Sequence, residues 1–381
     1  MKDVSVVACP SYERETVRRA LVELLSPIGG LEWVREGMCI AIKANLVSML
    51  KPERAATTHP SLLCALVEML RERGATVIVG DSPGGLYNAA FLGRVYAATG
   101  MAEVEAAGAL LNRDFGQREV LFEDALVLHS FTYTSYLDKA DAIIDFCKLK
   151  SHGMMGMSAA AKNMFGVIPG TMKPEYHFRF PNHSDFARMI VDIDRYFEEK
   201  TVLCIADAVL AMEGNGPTQG KPRQLGALLA SKCPHSLDLA AASLIGLSID
   251  EVPTLSAAHE CGLIPKTVGE LVVHGDLASL SVKDFENIPV HKSLAFEGKG
   301  KLAAGFVKYA LRAEPKLKPR ICVGCRECER ICPARAIVME DGKPKIDRKT
   351  CITCFCCQEF CPKGALVVHR PLIARVLNPK K

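Results

Sequence analysis

The feature that most limits the fold of this 381-residue chain is a cysteine motif that occurs twice near its carboxyl terminus. Both copies, at 322–333 and 351–362, have the spacing C-x2-C-x2-C-x3-C-P. Two-residue gaps let a tight turn direct successive thiolates to one iron–sulfur cluster, whereas the cysteine before the proline points to the other cluster. The doubled spacing therefore predicts two [4Fe-4S] clusters.

Eight of the cysteines divide between the two predicted clusters, three from one motif and the last from the other. We assign to the first cluster Cys322, Cys325, Cys328 and Cys361. We assign to the second cluster Cys332, Cys351, Cys354 and Cys357. Cys356 is left over and is not expected to be a ligand. Zinc is the alternative metal because it also binds four cysteines, but zinc sites rarely use eight thiols in this doubled spacing.

Together with the motifs, the residues around them resemble a bacterial-type two-cluster ferredoxin, which implies a small α+β domain. A β-hairpin with an Asp341-Gly342 turn separates the motifs, and 365–369 forms a strand after the second one. About 50 residues cannot build a sufficient apolar core, so the clusters must supply much of the folding free energy. The predicted boundaries are a basic linker at 299–319, the cluster domain at 320–370 and a basic tail at 371–381.

The positions of the cysteines and the net charge indicate which cellular compartment and which partners to expect. Nine of the 16 cysteines lie between Cys322 and Cys361, which indicates metal binding in a reducing compartment rather than a disulfide framework. The sequence shows no secretory signal and no apolar run of about 18 residues, so we expect a cytoplasmic protein without a membrane span. The formal net charge of +4 is small for this length and predicts no nucleic-acid partner.

Residues 1–298 predict a large layered α/β domain, because short β-branched runs alternate with amphipathic segments. The expected strands are Val4–Ala8, Cys39–Lys43, Thr76–Gly80, Ala142–Phe146, Val202–Ala206, Ala227–Ala230 and Leu271–His274. The expected helices are Arg14–Leu25, Pro60–Arg73, Leu86–Thr99, Phe186–Phe197 and His235–Ile245. Neither a G-x-G-x-x-G motif after the first strand nor a P-loop is present, which disfavours those two nucleotide sites.

Polar residues accumulate where several of these strands end. Ligands of open α/β sheets bind beyond the carboxyl ends of the strands, so we expect these residues to form one site. The candidate substrate-binding residues are Asn45, Asp81, Lys148, Lys150, Asn163, Asp207, Glu213 and Asn215. The glycine-rich loop at 213–220 is a candidate anion-binding nest, although such a loop is more often a plain turn.

The segment 145–177 contains most of the candidate catalytic residues. Lys162 and Asn163 lie in an apolar, small-residue run, where burying a lysine is costly without a partner. The functional interpretation is a cationic pocket for a carboxylate or a phosphate. The candidate catalytic residues are Lys162 as an amine, His152 and His177 as acid, base or metal ligand, and Lys43. The structural alternative is that the lysine side chains extend to solvent.

These motifs together resemble the "domain of unknown function 362" family, which is often fused to a two-cluster ferredoxin. The matching segments are 42–46, Thr58-His59-Pro60, 80–83, 148–152, 162–166 and 207–216. Ala44 stands where the family pattern has proline. The resemblance covers most of the chain and implies the architecture rather than an activity.

A second resemblance, over some 25 residues, is to nickel-pincer enzymes of the lactate-racemase type. His152, Lys162, Pro169-Gly170 and His177 occur in the order in which those enzymes have a histidine, a cofactor-bearing lysine, a turn and a further histidine. This resemblance implies that Lys162 tethers a cofactor and that His177 binds a metal.

Three functions remain open at this level. The first is an iron–sulfur oxidoreductase that passes electrons to an anionic substrate or cofactor in the α/β domain. The second is an electron-transfer subunit that serves a redox partner protein without substrate chemistry of its own. The third is a nickel-pincer-type isomerase or a metal-maturation enzyme. The sequence does not determine whether a flavin, nickel or other cofactor is bound besides the clusters.

Overall fold

The computed structural model describes residues 3–288, 290 and 312–369. The chain divides into two compact units, one comprising 1–173 and 182–288, the other 174–181 and 289–381. The predicted tail at 371–381 and the first part of the predicted linker, 299–311, lie outside the described residues.

The α/β unit alternates strands and helices along the chain. Its strands are β1 (Val4–Ala8), β2 (Cys39–Ala44), β3 (Thr76–Gly80), β4 (Leu110–Leu111), β5 (Gln117–Leu121), β6 (Ser130–Thr134), β7 (Ala142–His152), β8 (Gly156–Ser158), β9 (Thr201–Glu213), β10 (Lys221–Ser231) and β11 (Val273–His274). Its helices are α1 (Arg14–Leu25), α2 (Pro60–Arg71), α3 (Ala89–Ala98), α4 (Met101–Ala106), α5 (Ala160–Met164), α7 (His183–Tyr196), α8 (Pro234–Leu244), α9 (Pro253–Glu260) and α10 (Leu277–Leu280). Helix α6 (Lys173–Arg179) begins in this unit and continues into the segment grouped with the second unit.

Nine strands of the described residues form one mixed sheet. The order is β11-β1-β10-β9-β7-β2-β3-β4, with β8 paired to β7. Strands β4, β3, β2, β7 and β9 run parallel, whereas β10 is antiparallel to both β9 and β1. The predicted α/β class is confirmed, and the parallel strands bring their carboxyl ends to one edge.

Helices cover both faces of this sheet. Ile144 and Phe146 on β7 belong to the apolar core that includes the buried sides of α1 and α2. Asp145 between them points to the opposite face, because successive strand side chains alternate, and there it contacts Asn163 of α5. The unit is thus a three-layer α/β structure.

The two central strands are longer than the sequence pattern predicts. The prediction ended β7 at Phe146 and placed 148–152 beyond the carboxyl end of the strand, but the strand continues to His152. It continues because β8 folds back as an antiparallel partner of Lys150–His152, while β9 extends beside it to Glu213. The polar residues of this stretch therefore lie within the sheet and not beyond its edge.

The C-terminal unit is built from short elements. Its strands are β12 (Glu314–Leu317), β13 (Ile337–Glu340), β14 (Lys343–Ile346) and β15 (Leu366–His369), and its helices are α11 (Glu327–Arg330) and α12 (Cys356–Glu359). Strands β13 and β14 form the expected hairpin, and β12 pairs with β15. Residues 314–317, predicted to be linker, are therefore part of a sheet, because β15 supplies hydrogen-bond partners for them.

The two cysteine motifs adopt the same backbone conformation. A left-handed residue occurs before and after the second cysteine and again after the fourth, in each copy. These residues are Gly324, Arg326 and Arg335 in the first copy and Thr353, Phe355 and Gly364 in the second. Arginine, threonine and phenylalanine do not favour this region, so the requirement to direct thiols inward, rather than local propensity, explains the conformation.

Candidate functional site

Two cavities in the C-terminal unit each collect four cysteines. Cys322, Cys325, Cys328 and Cys361 line the first cavity. Cys332, Cys351, Cys354 and Cys357 line the second, which Cys356 also borders. The first set joins three cysteines of one motif to the last of the other, and so does the second. The structure thus brings together the groups to which the sequence assigned the two clusters.

Backbone amides also point to the sulfur atoms in these cavities. The Ala336 N–H donates to the Sγ of Cys332 over 3.2 Å, and the Ala365 N–H donates to the Sγ of Cys361 over 3.2 Å. Amide donors stabilise thiolate charge and tune cluster potentials. Four thiols around each cavity, with amide donors at equivalent positions, fit [4Fe-4S] clusters. The assignment of the eight individual ligands remains a prediction.

A second concentration of polar groups lies inside the α/β unit. We call it the buried polar network, and its members are Lys43, Asn45, Asp81, Asp145, Lys150 and Asn163. All of these side chains are less than a tenth exposed. The Lys43 Nζ lies 2.7 Å from an Asp81 carboxylate oxygen, which balances the charge of this lysine. The other Asp81 oxygen accepts the Leu46 backbone N–H over 2.7 Å.

Asn163 on α5 connects the strands of the network. Its Nδ2 donates to Asp145 Oδ1 over 2.5 Å and to the Lys43 carbonyl over 3.1 Å. Its Oδ1 accepts from Asn45 Nδ2 over 2.8 Å. Helix α5 is itself held in place by Asp238, whose carboxylate accepts the backbone N–H groups of Ala160 and Ala161. One amide side chain therefore fixes the relative positions of β2, β7 and the loop after β2.

Lys150 extends the network in the other direction. Its Nζ donates to Asn45 Oδ1 over 2.8 Å and to the Ala56 carbonyl over 2.7 Å. Both of these acceptors are neutral oxygen atoms. Lys173, which is half-buried, likewise donates to the carbonyls of Ser82 and Ile168.

Asp145 is a fully buried acid with a raised pKa. Burial raises the pKa of its carboxyl to about 7, while the hydrogen bond from Asn163 and the charge of Lys43 act in the opposite direction. A carboxyl that holds its proton near neutrality is the kind of group that can serve as an acid or a base.

Lys148 and Asp207 form a separate ion pair on the opposite face of the sheet. The Lys148 Nζ lies 2.7 Å from Asp207 Oδ2, and both side chains are fully buried. The Tyr12 hydroxyl donates to Asp207 Oδ1 and accepts from Lys148, each over 2.9 Å. The Tyr12 ring stacks on His59 at a centroid distance of 3.5 Å. Burial lowers the pKa of Lys148 and lowers that of His59 to about 4.

His152 has a defined tautomer. Its Nδ1 accepts the backbone N–H groups of Met154 and Met155, over 3.1 and 3.2 Å. The neutral ring therefore carries its proton on Nε2, and this nitrogen is a hydrogen-bond donor. A histidine that binds a metal through one ring nitrogen usually donates a hydrogen bond from the other. In His152 the Nδ1 accepts hydrogen bonds instead, which argues against a metal-binding role.

The remaining candidates lie in different settings. Lys162 is half-buried on α5, with its Nζ 4.9 Å from the Phe165 ring centroid and 5.8 Å from that of Phe186. His177 is buried, in the 174–181 segment that groups with the second unit. Glu213 accepts the Glu286 backbone N–H over 3.0 Å, and the neighbouring Asn215 is half-buried.

Close packing around the Lys43–Asp81 pair depends on Gly166. A Cβ atom at this position would lie 2.5 Å from both the Lys43 Nζ and an Asp81 oxygen. Only glycine lets the chain after α5 approach the ion pair this closely. The glycine of the predicted Lys162–Gly166 motif thus has a steric role.

Sequence reasoning missed several residues of these sites. Asp145 was not selected, although an acid in the apolar run AIIDF is a recognisable signal. Tyr12 follows the first strand in an ordinary loop, and no local pattern connects it to Asp207, 195 residues away. Thr58 accepts the Asn45 N–H, a contact that depends on the folded loop.

The fold and the cysteine sites define an iron–sulfur protein in which an α/β unit is joined to a small cluster-binding unit. The chain belongs to the family described as "Domain of unknown function (DUF362)", whose model matches residues 40–243. A "4Fe-4S dicluster domain" matches residues 314–362. Both matches confirm the resemblance inferred from the sequence.

One curated relative covers most of the chain. The thylakoid-associated protein sll1697 of Synechocystis sp. is 32% identical over 279 residues, which are 71% of this chain and 83% of that protein. That description refers to the relative alone. Within the described residues, no helix has the length and apolar character needed to cross a bilayer.

Two solved structures show lower similarity. The lactate racemase apoprotein of Thermoanaerobacterium thermosaccharolyticum matches with 14% identity and a TM-score of 0.41, over 65% of this chain and 57% of that one. A protein of Thermotoga maritima matches with 16% identity and a TM-score of 0.36, over 57% of this chain and 55% of that one. The chain therefore spans little more than half the length of either structure.

Proposed function

We propose that this protein is an iron–sulfur oxidoreductase with two [4Fe-4S] clusters, which acts on an anionic substrate or cofactor bound in the α/β unit. The clusters would be held by the two groups of four cysteines, and they would supply or accept single electrons. Joining both parts in one chain raises their effective concentration, which suits electrons that are used within the molecule.

The observation that carries the proposal is the group of lysines near the carboxyl ends of the parallel strands. Lys43 and Lys148 pair with Asp81 and Asp207. Lys150 and Lys173 donate to carbonyl and amide oxygens, and Lys162 lies over aromatic rings. Five lysines therefore lie in this region, which favours a carboxylate or a phosphate as ligand.

Two further groups can take part in proton transfer. The neutral His152 ring carries its proton on Nε2, and burial raises the pKa of the Asp145 carboxyl to about 7. Reduction of an organic substrate by single electrons requires protons, so an acid of this kind near lysine side chains suits the reaction. Lys43 and Asn163 would act by holding Asp145 in position rather than by touching the substrate.

Replacing Lys162 by alanine tests the proposal. Lys162 is half-buried and is a member of neither the Lys43–Asp81 nor the Lys148–Asp207 pair, so both of these pairs stay intact in the variant. The anaerobic holoprotein is reduced photochemically, and its visible absorbance is followed while a panel of small carboxylates and phosphate esters is added. We expect at least one anion to reoxidise the wild-type protein, and Lys162→Ala to slow that reaction about 100-fold.

Lys266→Ala is the matched control, because Lys266 is an exposed lysine of the same unit. It should leave the rate of reoxidation unchanged, and both variants should keep the wild-type cluster spectrum. Equal rates in Lys162→Ala and the wild type would contradict the proposal. If no small anion reoxidised the protein but a partner protein did, the electron-transfer subunit would be the better assignment.

The nickel-pincer-type isomerase is the second candidate, carried by the order of His152, Lys162 and His177. It requires a covalent cofactor on Lys162, whereas the oxidoreductase does not. Intact-mass analysis of the purified holoprotein separates the two, because a tethered pincer adds mass that a tryptic peptide locates at Lys162. An unmodified Lys162 in protein that reacts with an anion would count against the isomerase.

A further inference from the structure

The two cysteine motifs share a backbone conformation but differ in exposure. In the first motif Val323 is 62% exposed, and Cys325 and Arg326 are also exposed. The equivalent residues of the second motif are Ile352, which is half-buried, and Cys354 and Phe355, which are buried. The sequence accounts for part of this difference, since Arg326 in the first motif corresponds to Phe355 in the second.

Apolar and basic side chains surround the exposed motif. Ile321 and Val323 are exposed apolar residues on either side of Cys322. Lys318, Arg320 and Lys363 are exposed beside them, and Lys363 lines the same cavity as Cys325. We call this surface the first-cluster face, and it comprises Lys318, Arg320, Ile321, Val323, Arg326 and Lys363.

The charge of this face selects the type of partner. Residues 312–369 contain 12 lysines and arginines against seven aspartates and glutamates. Arg326 and Arg330 pair with Glu329 and Glu327, so the basic excess at the face comes from Lys318, Arg320 and Lys363. An apolar centre with a basic rim is complementary to a protein that carries acidic groups around its own redox centre.

We propose that the first-cluster face is the docking surface for an acidic redox protein, which exchanges single electrons with the cluster held by Cys322, Cys325, Cys328 and Cys361. This inference rests on the proposed function only in requiring that cluster. Each encounter transfers one electron, so that a flavodoxin hydroquinone becomes its semiquinone while the cluster is reduced by one electron.

Val323→Asp tests the docking surface. The oxidised holoprotein is mixed with an acidic flavodoxin in its hydroquinone form, and the second-order rate constant of cluster reduction is measured by stopped flow. We expect the aspartate to lower this constant about tenfold, because it adds repulsion and polarity at the centre of the face. The wild-type constant should fall as salt is added, and Arg320→Glu should weaken that dependence.

Val338→Asp is the matched control, since Val338 is a valine of the same unit with 52% exposure that lines neither cluster cavity. It should leave the rate constant unchanged. Three further quantities are measured for both variants: the rate of reduction by dithionite, the iron content and the calorimetric affinity for oxidised flavodoxin. Of these three quantities, only the affinity should change in Val323→Asp.

Equal rate constants in Val323→Asp and Val338→Asp, or a wild-type constant that does not depend on salt, would overturn the proposal. A dimer that Val323→Asp dissociates would instead assign the face to a second copy of the chain. The experiment measures electron transfer from flavodoxin to the cluster and not electron transfer from the cluster to a substrate. Its outcome is therefore independent of the result for Lys162→Ala.

Discussion

Replacing Cys325 by alanine should remove one of two [4Fe-4S] clusters and leave the other. Cys325 is exposed, so the substitution removes little packing, whereas the loss of its thiolate leaves the first cavity with three cysteines. We expect the spin count of reduced clusters, measured by electron paramagnetic resonance, to fall from about two to about one per chain. The thermal stability of the C-terminal unit should fall with it.

The stability loss follows from how small this core is. Its buried cluster consists of Cys328, Ile337, Cys357 and Leu366, and two of these residues are predicted cluster ligands. The apolar part alone is too small to hold about 50 residues together, and cluster binding contributes folding free energy directly.

Cys356→Ala is the control for this experiment. Cys356 is 1% exposed and lies between two predicted ligands, so its replacement disturbs packing more than that of Cys325. It should nevertheless keep both clusters. Loss of a cluster in Cys356→Ala, or two intact clusters in Cys325→Ala, would contradict the assignment of ligands.

Replacing Asp207 by asparagine should strongly destabilise the α/β unit. The substitution leaves the Lys148 ammonium fully buried without its counter-ion, and it weakens the acceptor for Tyr12 and for the His59 backbone N–H. Breaking a buried pair by removing one partner costs about 3 to 5 kcal/mol. Urea unfolding of the variant should show this decrease in the free energy of unfolding.

Asp284→Asn provides the comparison. Asp284 pairs with Arg223 over 2.7 Å, the same separation as in the buried pair, but it is 71% exposed. Solvent screens exposed pairs, so this variant should unfold close to the wild type. In addition, Lys148→Met combined with Asp207→Leu should destabilise less than Asp207→Asn alone, since no buried charge remains. Similar losses in Asp207→Asn and Asp284→Asn would refute this interpretation of the pair.

Local patterns were sufficient to predict most of the fold. Strands β1 and β3 and helix α1 have the predicted bounds, because each is a short periodic run with clear turn signals. Strand β7 was predicted too short, since Lys148 and Lys150 are charged and resemble the start of a loop. Only the folded sheet supplies their partners, Asp207 and Asn45, so local sequence could not predict the longer strand.

The candidate sites were likewise predicted in part. The cysteine groups were predicted because ligand spacing is local and the motif is repeated. The polar residues at the carboxyl edge were also predicted to lie together, but their pairing was not. Lys43 and Lys148 were interpreted as part of a cationic pocket, whereas each is buried in an ion pair. Such pairing depends on contacts between residues far apart in sequence.

The most direct test of the account is the iron and acid-labile sulfide content of the full chain, purified without oxygen and analysed for iron, nickel and zinc in one run. Two [4Fe-4S] clusters predict about eight iron and about eight sulfide per chain, with no stoichiometric nickel or zinc. Zinc in place of iron, or iron without sulfide, would contradict the iron–sulfur assignment and the electron chemistry proposed from it.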